Sequence, residues 1–451
     1  MKKFIQTLKN IWSIEELRGK ILFTLLMIVI YRIGSFIVLP GIDPTLMEQN
    51  AGQANNGILD LINAFSGGAF NAASIFALGI MPYISASIFM QLMTVLVPKF
   101  QKMQKEGDSG RKKINQYTRY LTVVVTLLQA SAYVRYLEGM ANGNPGMIIP
   151  AYGTSLFFIS SLIVLTAGTM FVMWMGEKIT DKGLGNGTSL IIMIGILARL
   201  PQSFVAELAA KSTRTGPILI FIIEIAILIA IILGCILLIQ GVRKVPVNYA
   251  KQIVGNRQFG GARQFLPLKV NSAGVMPIIF AQAIMFLPTL ATLGNPNSQS
   301  GQAISSIFTD QKNLMHMLIY SVVVIGFTFL YTALIFNPKQ IADNLKQNNG
   351  FIPGVKPGQP TADYIGVIMD RITLPGAMLL ALVGILPGIA ERLGVTQGFS
   401  TFFGGTSLLI MVGVILDTLQ QIETQLLMRQ YDGLMKSGRI QGRQTTSAVQ
   451  M

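Results

Sequence analysis

Ten apolar stretches divide this chain, and each is close to the roughly 20 residues that a helix needs to cross a bilayer. Hydrophobic residues make up 51% of the chain and charged residues only 12%, more apolar than a water-soluble core requires. The sequence therefore predicts an all-α polytopic membrane protein with ten transmembrane helices. In chain order, the stretches are Ile21 to Leu39, Ala72 to Val97, Tyr117 to Leu137, Thr154 to Met175, Thr188 to about Ala210, Pro217 to Ile239, Asn271 to Leu293, Leu314 to Phe336, Ile372 to Ala390 and Phe402 to Leu426.

A repeated motif indicates that the chain has two related halves. Gly79-Ile80-Met81-Pro82 in the second span returns as Gly274-Val275-Met276-Pro277 in the seventh. If each half holds five spans, an odd number, the second half must be inverted in the membrane relative to the first. We therefore expect two inverted, pseudo-symmetric halves, residues 1–210 and 211–451, with the functional site between them.

The positions of lysine and arginine predict the orientation in the membrane. They are frequent in the N-terminal segment and in the loop after the second span, whereas residues 139–153 carry no charge. Basic residues near span ends favour the cytoplasmic side. We expect both termini to be cytoplasmic, and the net charge of +15 mainly reflects this topology.

Two cytoplasmic loops, residues 241–269 and 337–371, are longer than a connector needs. Basic residues interleaved with aromatic ones can bind RNA phosphates and bases or an acidic protein face, although a simple positive-inside bias explains them as well. The candidate docking residues are Arg243, Lys244, Lys251, Arg257, Arg263, Lys346 and Lys356.

The segment of residues 58–70, between the first two spans, is mildly amphipathic but too short to cross the membrane. Backbone at membrane depth is tolerated only when protein buries it or when it lines a water-filled cavity. A re-entrant element beside a cavity is one interpretation, and an external surface helix is the other.

Three ionisable residues lie within spans, where exposure to lipid costs about 2.5 to 3.5 kcal/mol each. We expect Arg32 to pair with a carboxylate or with helix-end carbonyls, Glu224 to extend to the external surface, and Asp417 to form an interhelical hydrogen bond.

The sequence offers no motif for phosphate-loop nucleotide hydrolysis, for a zinc peptidase or for a serine hydrolase. Its single cysteine, Cys235, and single histidine, His316, cannot build a metal cluster, so we expect no enzyme activity, no metal and no cofactor. An intramembrane enzyme would need a second catalytic residue beside Asp417. A secondary transporter of a small apolar solute also has inverted repeats, but it needs polar coordinating groups near the midplane.

Several longer motifs resemble the SecY/Sec61-alpha family, whose bacterial members are the channel subunit of the Sec protein translocase. They are Phe65-Ser66-Gly67-Gly68-Ala69, the runs 77–87 (ALGIMPYISAS) and 248–251 (NYAK), and the runs 266–271 (LPLKVN), 342–346 (ADNLK) and 403–409 (FGGTSLL). The resemblance implies a protein-conducting channel in the bacterial cytoplasmic (inner) membrane, with a short re-entrant plug helix. It also implies a lateral gate between the second and seventh spans, through which transmembrane segments leave sideways.

The partners that this resemblance implies are SecE and SecG, the SecA motor ATPase, the ribosome, signal peptides and nascent membrane proteins, and the lipid bilayer. YidC and SecDF are further candidates. One departure concerns Lys356, which stands where the family pattern has arginine, so the charge remains and the planar fork is lost.

The same resemblance implies three groups of site residues. The i, i+4 spacing of Ile80/Ile84 and of Ile192/Ile196 places each pair on one helix face, which supports a pore ring, although ordinary packing explains any single isoleucine. The pore ring is Ile80, Ile84, Ile192, Ile196, Ile279 and Ile410; the plug includes Leu61, Phe65, Ser66, Gly67 and Gly68; and the polar cluster of the lateral gate is Ser85, Gln129 and Asn271.

Overall fold

The fold is seen in a computed structural model that describes residue 12 and residues 14–46, 63, 66–143, 146–149, 153–213, 218–249, 252–254, 257–259, 263–292, 307–308 and 310–436. Within these residues, one long helix corresponds to each of the ten predicted spans, which confirms the predicted fold class. The ten helices are α1 (Glu15–Gly34), α2 (Met81–Leu96), α3 (Asp108–Gly143), α4 (Thr154–Lys182), α5 (Gly187–Thr213), α6 (Ile218–Gln240), α7 (Met276–Thr292), α8 (Leu314–Ile335), α9 (Gln359–Arg392) and α10 (Gly405–Lys436).

In the described part of the chain, six helices are long and apolar enough to cross a membrane by themselves, namely α4, α5, α6, α8, α9 and α10. A seventh candidate is α2 together with the short helix Pro98–Lys105, bent by 98°. The remaining three, α1, α3 and α7, are shorter or carry more polar residues. The helix α9 begins well before the predicted Ile372, so much of the expected loop 337–371 is helical.

Helix ends follow local chemistry. Pro82 lies in the first turn of α2, where its missing N–H costs nothing, and Pro98 directly follows the end of this helix. The side chain of Asn313 caps α8 by accepting a hydrogen bond from the backbone N–H of Met315 at 3.0 Å. Pro201 lies inside α5 without ending it, although it removes one backbone donor.

Glycines allow close approach where the bundle is tightest. A Cβ on Gly168 of α4 would lie 2.2 Å from the carbonyl oxygen of Ile75, and one on Gly187 would lie 2.1 Å from that of Gly176. Small residues commonly let backbones meet in this way inside membrane bundles. Across the bundle, α5 packs against both α4 and α10, and α8 packs against α7 and α9.

The two long loops, residues 241–269 and 337–371, contain a small sheet that the sequence analysis does not predict. Strand β1 (Val242–Tyr249) pairs antiparallel with β4 (Arg263–Lys269), and β5 (Gly350–Phe351) pairs with β1. A separate hairpin joins β2 (Gln252–Val254) to β3 (Arg257–Phe259). One hydrophobic cluster lies beneath the larger sheet and includes residues of both loops: Val245, Val247, Leu268, Leu345, Ile352, Ile365 and Met369. The two loops therefore form one unit, to which the short helix Pro338–Gln347 also belongs.

Candidate pore constriction, plug segment and lateral seam

Five of the six isoleucines predicted for the pore ring share one hydrophobic cluster. Ile80, Ile192, Ile196 and Ile410 are buried and Ile84 is half-buried against them. Ile80 directly precedes α2, and the other four side chains belong to α2, α5 and α10, so the group brings together both halves of the chain. We call these five residues the isoleucine cluster. The aromatic rings of Phe399, Phe402 and Phe403 belong to the same hydrophobic core.

The sixth residue, Ile279, lies in the first turn of α7 and is half-buried, and it is not part of this core. Its neighbour Ile278 is fully buried in a different core, formed by α6 to α10. From the seventh span, it is Val275 that packs against the isoleucine cluster. Whether all six side chains form a pore ring stays a prediction.

Residues 66–70, the described end of the predicted plug and here called the plug segment, are followed by further turns up to the start of α2, so the second span becomes helical later than the predicted Ala72. Asn63 and Ser66 are both buried and hold the first turn together. The Oγ of Ser66 donates to the carbonyl of Asn63 at 3.2 Å and accepts from the N–H of Phe70 at 3.1 Å. Leu61 and Phe65, also predicted for the plug, lie outside the described residues, as does most of the predicted plug helix.

Helix α1 holds this segment by two side chains. Arg32 donates from Nη1 to the carbonyl oxygen of Gly67 at 3.2 Å, and the Tyr31 hydroxyl donates to that of Ser66 at 3.4 Å. The expectation that Arg32 pairs with a carboxylate or with helix-end carbonyls is therefore wrong in its partner, because the carbonyl that it binds belongs to a turn. The guanidinium also lies 5.3 Å from the ring centre of Phe36.

Gly67 is required by both conformation and space. Its φ is +68°, which favours glycine, and a Cβ there would lie 2.7 Å from Nη1 of Arg32 and 2.9 Å from the Cα of Gly195. Gly68 has φ +95° but open space around it. Because Gly195 precedes Ile196 in α5, the plug segment rests directly against the helix that carries the isoleucine cluster.

The three residues predicted for the polar cluster of the lateral gate are not joined by hydrogen bonds among the described residues. Ser85 is exposed and its hydroxyl donates to the carbonyl of Met81 in its own helix at 3.1 Å. Gln129 is half-buried in α3. The Oδ1 of Asn271 is buried with no hydrogen-bond partner in the described part of the chain.

A hydrogen bond between α2 and α8 joins the two halves at this seam instead. The hydroxyl of Tyr331 donates to Oε1 of Gln91 at 3.1 Å. Phe280 of α7 packs against both Phe327 and Tyr331, with ring centres 5.7 and 6.2 Å apart. Sequence reasoning missed this pair. The available signal was Gln91, the one side-chain amide in the predicted second span.

Two expectations about ionisable residues are wrong. Glu224 does not extend to the surface, because it is only 6% exposed and lies 2.9 Å from Nζ of Lys211. Asp417 is exposed, and no hydrogen-bond partner is found for it among the described residues. It lies where α10 passes from its buried portion, which ends near Val414, to an exposed one.

The predicted docking residues are distributed over the sheet unit. Arg243 and Lys244 are exposed on β1, opposite Leu268 and Pro267 of β4. Lys346 is exposed on the short helix Pro338–Gln347, and Lys356 lies in the turn region before α9. Arg257 is in β3 and Arg263 is in β4. Lys251 is outside the described residues.

Ten long helices, a buried apolar core to which both halves of the chain contribute, and a turn segment packed against it define the fold of a polytopic membrane protein. The SecY family model matches residues 74–419, and the chain belongs to the SecY family. The protein translocase subunit SecY of Mycobacterium tuberculosis (strain ATCC 25618 / H37Rv) is 41% identical over 97% of this chain and 100% of the relative.

Two solved structures have the same fold. One is a structure of SecY, whose plug domain stabilizes the closed state of the translocation channel and maintains a membrane seal. Its TM-score is 0.59 at 18% sequence identity, and the match covers 93% of this chain and 94% of that chain. The other is Sec61 in the canine ribosome-channel complex from the endoplasmic reticulum, with a TM-score of 0.58 at 17% identity and the same coverage.

Proposed function

We propose that this chain is a protein-conducting channel that passes unfolded polypeptides across the bacterial cytoplasmic membrane, with both termini in the cytoplasm. The observation that carries the proposal is the isoleucine cluster, which is formed by both halves of the chain and lies against the plug segment. A narrow apolar constriction excludes ions by dewetting. Its flexible aliphatic side chains can still adapt to a polypeptide of any sequence.

The plug segment closes this constriction through contacts that can be broken. Arg32 and Tyr31 hold it by backbone carbonyls, and the side chain of Ser66 bonds within the segment itself. Hydrogen bonds contribute about 0.5–1.5 kcal/mol each, or about 1.5–3 kcal/mol when one partner is charged. An entering polypeptide can therefore displace the segment without unfolding the bundle.

The lateral gate opens between α2 and α7. The repeated Met-Pro pairs begin both helices, and the Tyr331–Gln91 hydrogen bond closes the seam from the neighbouring helix α8. A hydrophobic segment in the channel replaces this bond by apolar contacts and partitions into lipid. Ser85, Gln129 and Asn271 line the same seam in this proposal.

The cytoplasmic sheet unit is the docking surface for the partner that supplies the polypeptide. Exposed Arg243, Lys244 and Lys346 on one rigid unit suit an acidic protein face or RNA phosphates. The names of the relatives support a translocase subunit that works with other Sec components, and the canine neighbour is bound to a ribosome. SecE, SecG and the SecA motor are the partners we propose for this chain.

A secondary transporter of a small apolar solute fits less well. Transporters hold substrate and coupling ions near the midplane with polar or charged groups. The corresponding region here holds isoleucines and phenylalanines. The channel itself needs no catalytic step in this proposal, since the partner that docks on it supplies the energy.

The test is protease protection of an unfolded precursor in sealed vesicles that contain the full-length chain with its copurified partners and the motor ATPase. We expect Ile84→Asn to raise ion leak through the resting channel and to relax the demand for a good signal sequence. Ile88→Asn is the matched control, since Ile88 is buried one turn further along α2 but outside the isoleucine cluster. Equal leak from both variants, or solute uptake without precursor protection, contradicts the proposal.

A further inference from the structure

A buried carboxylate joins the external end of α5 to the loop between α9 and α10. Glu207 is fully buried, and its Oε2 accepts hydrogen bonds from both the N–H (2.9 Å) and the hydroxyl of Thr396. Thr396 immediately precedes the short helix Gln397–Ser400. This helix carries Phe399, which packs in the core around the isoleucine cluster. The carboxylate of α5 thus fixes the start of a segment that belongs to the other half of the chain.

Lys211 extends the same network to two further elements. Its Nζ lies 3.5 Å from Oε1 of Glu207 and 2.9 Å from Oε1 of Glu224 in α6, and it donates to the carbonyl of Gly394 at 3.0 Å. The side chain of Lys211 is 15% exposed. We call Glu207, Lys211, Glu224, Gly394 and Thr396 the external pin.

The burial of these charges makes the network resistant to separation. A buried carboxylate or ammonium is costly unless a partner compensates it, and removal of one partner leaves the other charge uncompensated. Any movement that separated α5 from the loop after α9 would break the hydrogen bonds of Glu207 to Thr396 and of Lys211 to Gly394, and each buried charged group would lose polar partners. The seam at α2 differs, because the bond between Tyr331 and Gln91 joins two neutral groups.

A second contact joins the start of α5 to α10 itself, at the cytoplasmic face. The N–H of Gly185, just before α5, donates to Oε1 of Gln421 in α10 at 2.9 Å. A Cβ on Gly185 would lie 3.1 Å from Oγ1 of Thr418, so the backbone and α10 are in close contact there. Between the two faces, α5 contributes Ile192 and Ile196 to the isoleucine cluster.

We propose that α5 and α10 form one fixed wall of the pore, clamped by the external pin and by the Gly185–Gln421 contact, and that the channel opens by movement of α2 away from this wall. Ile192, Ile196 and Ile410 then keep their mutual positions during opening, while Ile80 and Ile84 move. The inference rests on the proposed function. The part that stays fixed then differs from either half of the sequence, because α5 belongs to the first half and α10 belongs to the second.

The direct test is a reversible cross-link within the wall. A Cβ on Gly398 would lie 3.9 Å from Cβ of Ser203 in α5, within the roughly 3.5–4.5 Å that a disulfide requires. The variant is Ser203→Cys with Gly398→Cys, in a background where Cys235, the chain's one cysteine, is replaced by alanine. It is reconstituted with its partners, and precursor translocation is measured after oxidation and again after reduction.

We expect the oxidised and reduced forms to translocate equally, because the cross-link joins parts that do not move apart. Loss of translocation on oxidation, with recovery on reduction, overturns the inference and leaves the proposed function in place. Failure of the reduced form to translocate, while the Cys235→Ala background also fails, overturns the proposed function and the inference with it.

A second variant tests whether the charge of Glu207 holds the wall. We expect Glu207→Gln to raise resting ion leak roughly three- to tenfold, since a hydrogen bond to a charged group exceeds a neutral one by about 1 kcal/mol. Oxidation of the Ser203→Cys, Gly398→Cys pair in the same variant should return the leak to the starting level. Glu138→Gln, at the external end of α3, is the control. A leak no greater than that control, or no rescue by the disulfide, contradicts the inference.

Discussion

Tyr331→Phe removes a single hydroxyl from the seam and keeps the aromatic ring in place. The ring packs against Phe280 of α7, and this contact survives the change. Only the donor to Oε1 of Gln91, 3.1 Å away, is lost. If this bond helps to hold α2 against α8 in the closed channel, its loss shifts the channel toward the open state without affecting the surrounding core.

The size of the effect follows from the energy of such bonds in membranes. Interhelical hydrogen bonds are worth about 0.6 kcal/mol on average and at most about 1.7 kcal/mol. A difference of about 1.4 kcal/mol changes an equilibrium constant tenfold. The open fraction of the resting channel should therefore rise roughly threefold, and at most about 20-fold. A larger change would indicate that the substitution disturbs more than the hydrogen bond.

The assay is ion conductance in planar bilayers, together with translocation of a precursor whose signal sequence is shortened by a few apolar residues. Both should increase in Tyr331→Phe. Ser85→Ala is the control on the same helix as Gln91, because the Ser85 hydroxyl bonds to its own helix backbone. If Tyr331→Phe behaves like the wild type and Ser85→Ala leaks ions, the Tyr331–Gln91 bond does not hold the seam closed. Ser85 would then be the main polar contact of the gate.

Three further predictions concern the plug segment and the docking surface. Arg32→Met should raise resting leak by about tenfold or more, as a charged hydrogen bond contributes about 1.5–3 kcal/mol; conductance with no precursor present measures this, and an unchanged leak would show that the Gly67 contact is dispensable. Gly67→Ala should leak more than Gly68→Ala, since both have positive φ but only Gly67 meets neighbouring atoms; equal leak would point to backbone strain alone. Glu in place of both Arg243 and Lys244 should weaken motor- or ribosome-dependent translocation severalfold at low salt and leave ion leak unchanged; a rise in leak would mean that these charges act on the pore.

The spans could be predicted from the sequence because length and apolar character are sufficient in a membrane. The sheet formed by the two long loops could not be predicted. Strand β1 alternates only in its second half, at Val245, Val247 and Tyr249, and the charged Arg243 and Lys244 and the internal Pro246 weaken the pattern typical of a strand. Its pairing with Gly350 and Phe351 joins loops about a hundred residues apart, and no local pattern encodes such a contact.

Spacing and family motifs selected isoleucines that do come together in the fold. The pairs Ile80/Ile84 and Ile192/Ile196 belong to one hydrophobic core, while their role in a pore ring stays a prediction. Polar partners were harder to predict, because a lone polar residue in an apolar span reveals that a partner exists but not which one. Glu224 illustrates this: its partner Lys211 lies near the end of a different span, and only the fold brings the two together.

The polar contacts of the channel fall into two groups in our proposal: those that stay intact when the channel opens and those that break. In the opening that we propose, the channel gives up the Tyr331–Gln91 bond and the two bonds from Arg32 and Tyr31 to the plug segment, together about 3–6 kcal/mol on the ranges above. Complete burial of one large apolar side chain yields about 1.5–3 kcal/mol. Two or three such side chains of an entering segment are therefore enough to open the seam, whereas a polar segment cannot supply this energy. The same threshold keeps the resting channel closed and makes hydrophobicity the property by which it selects signal sequences.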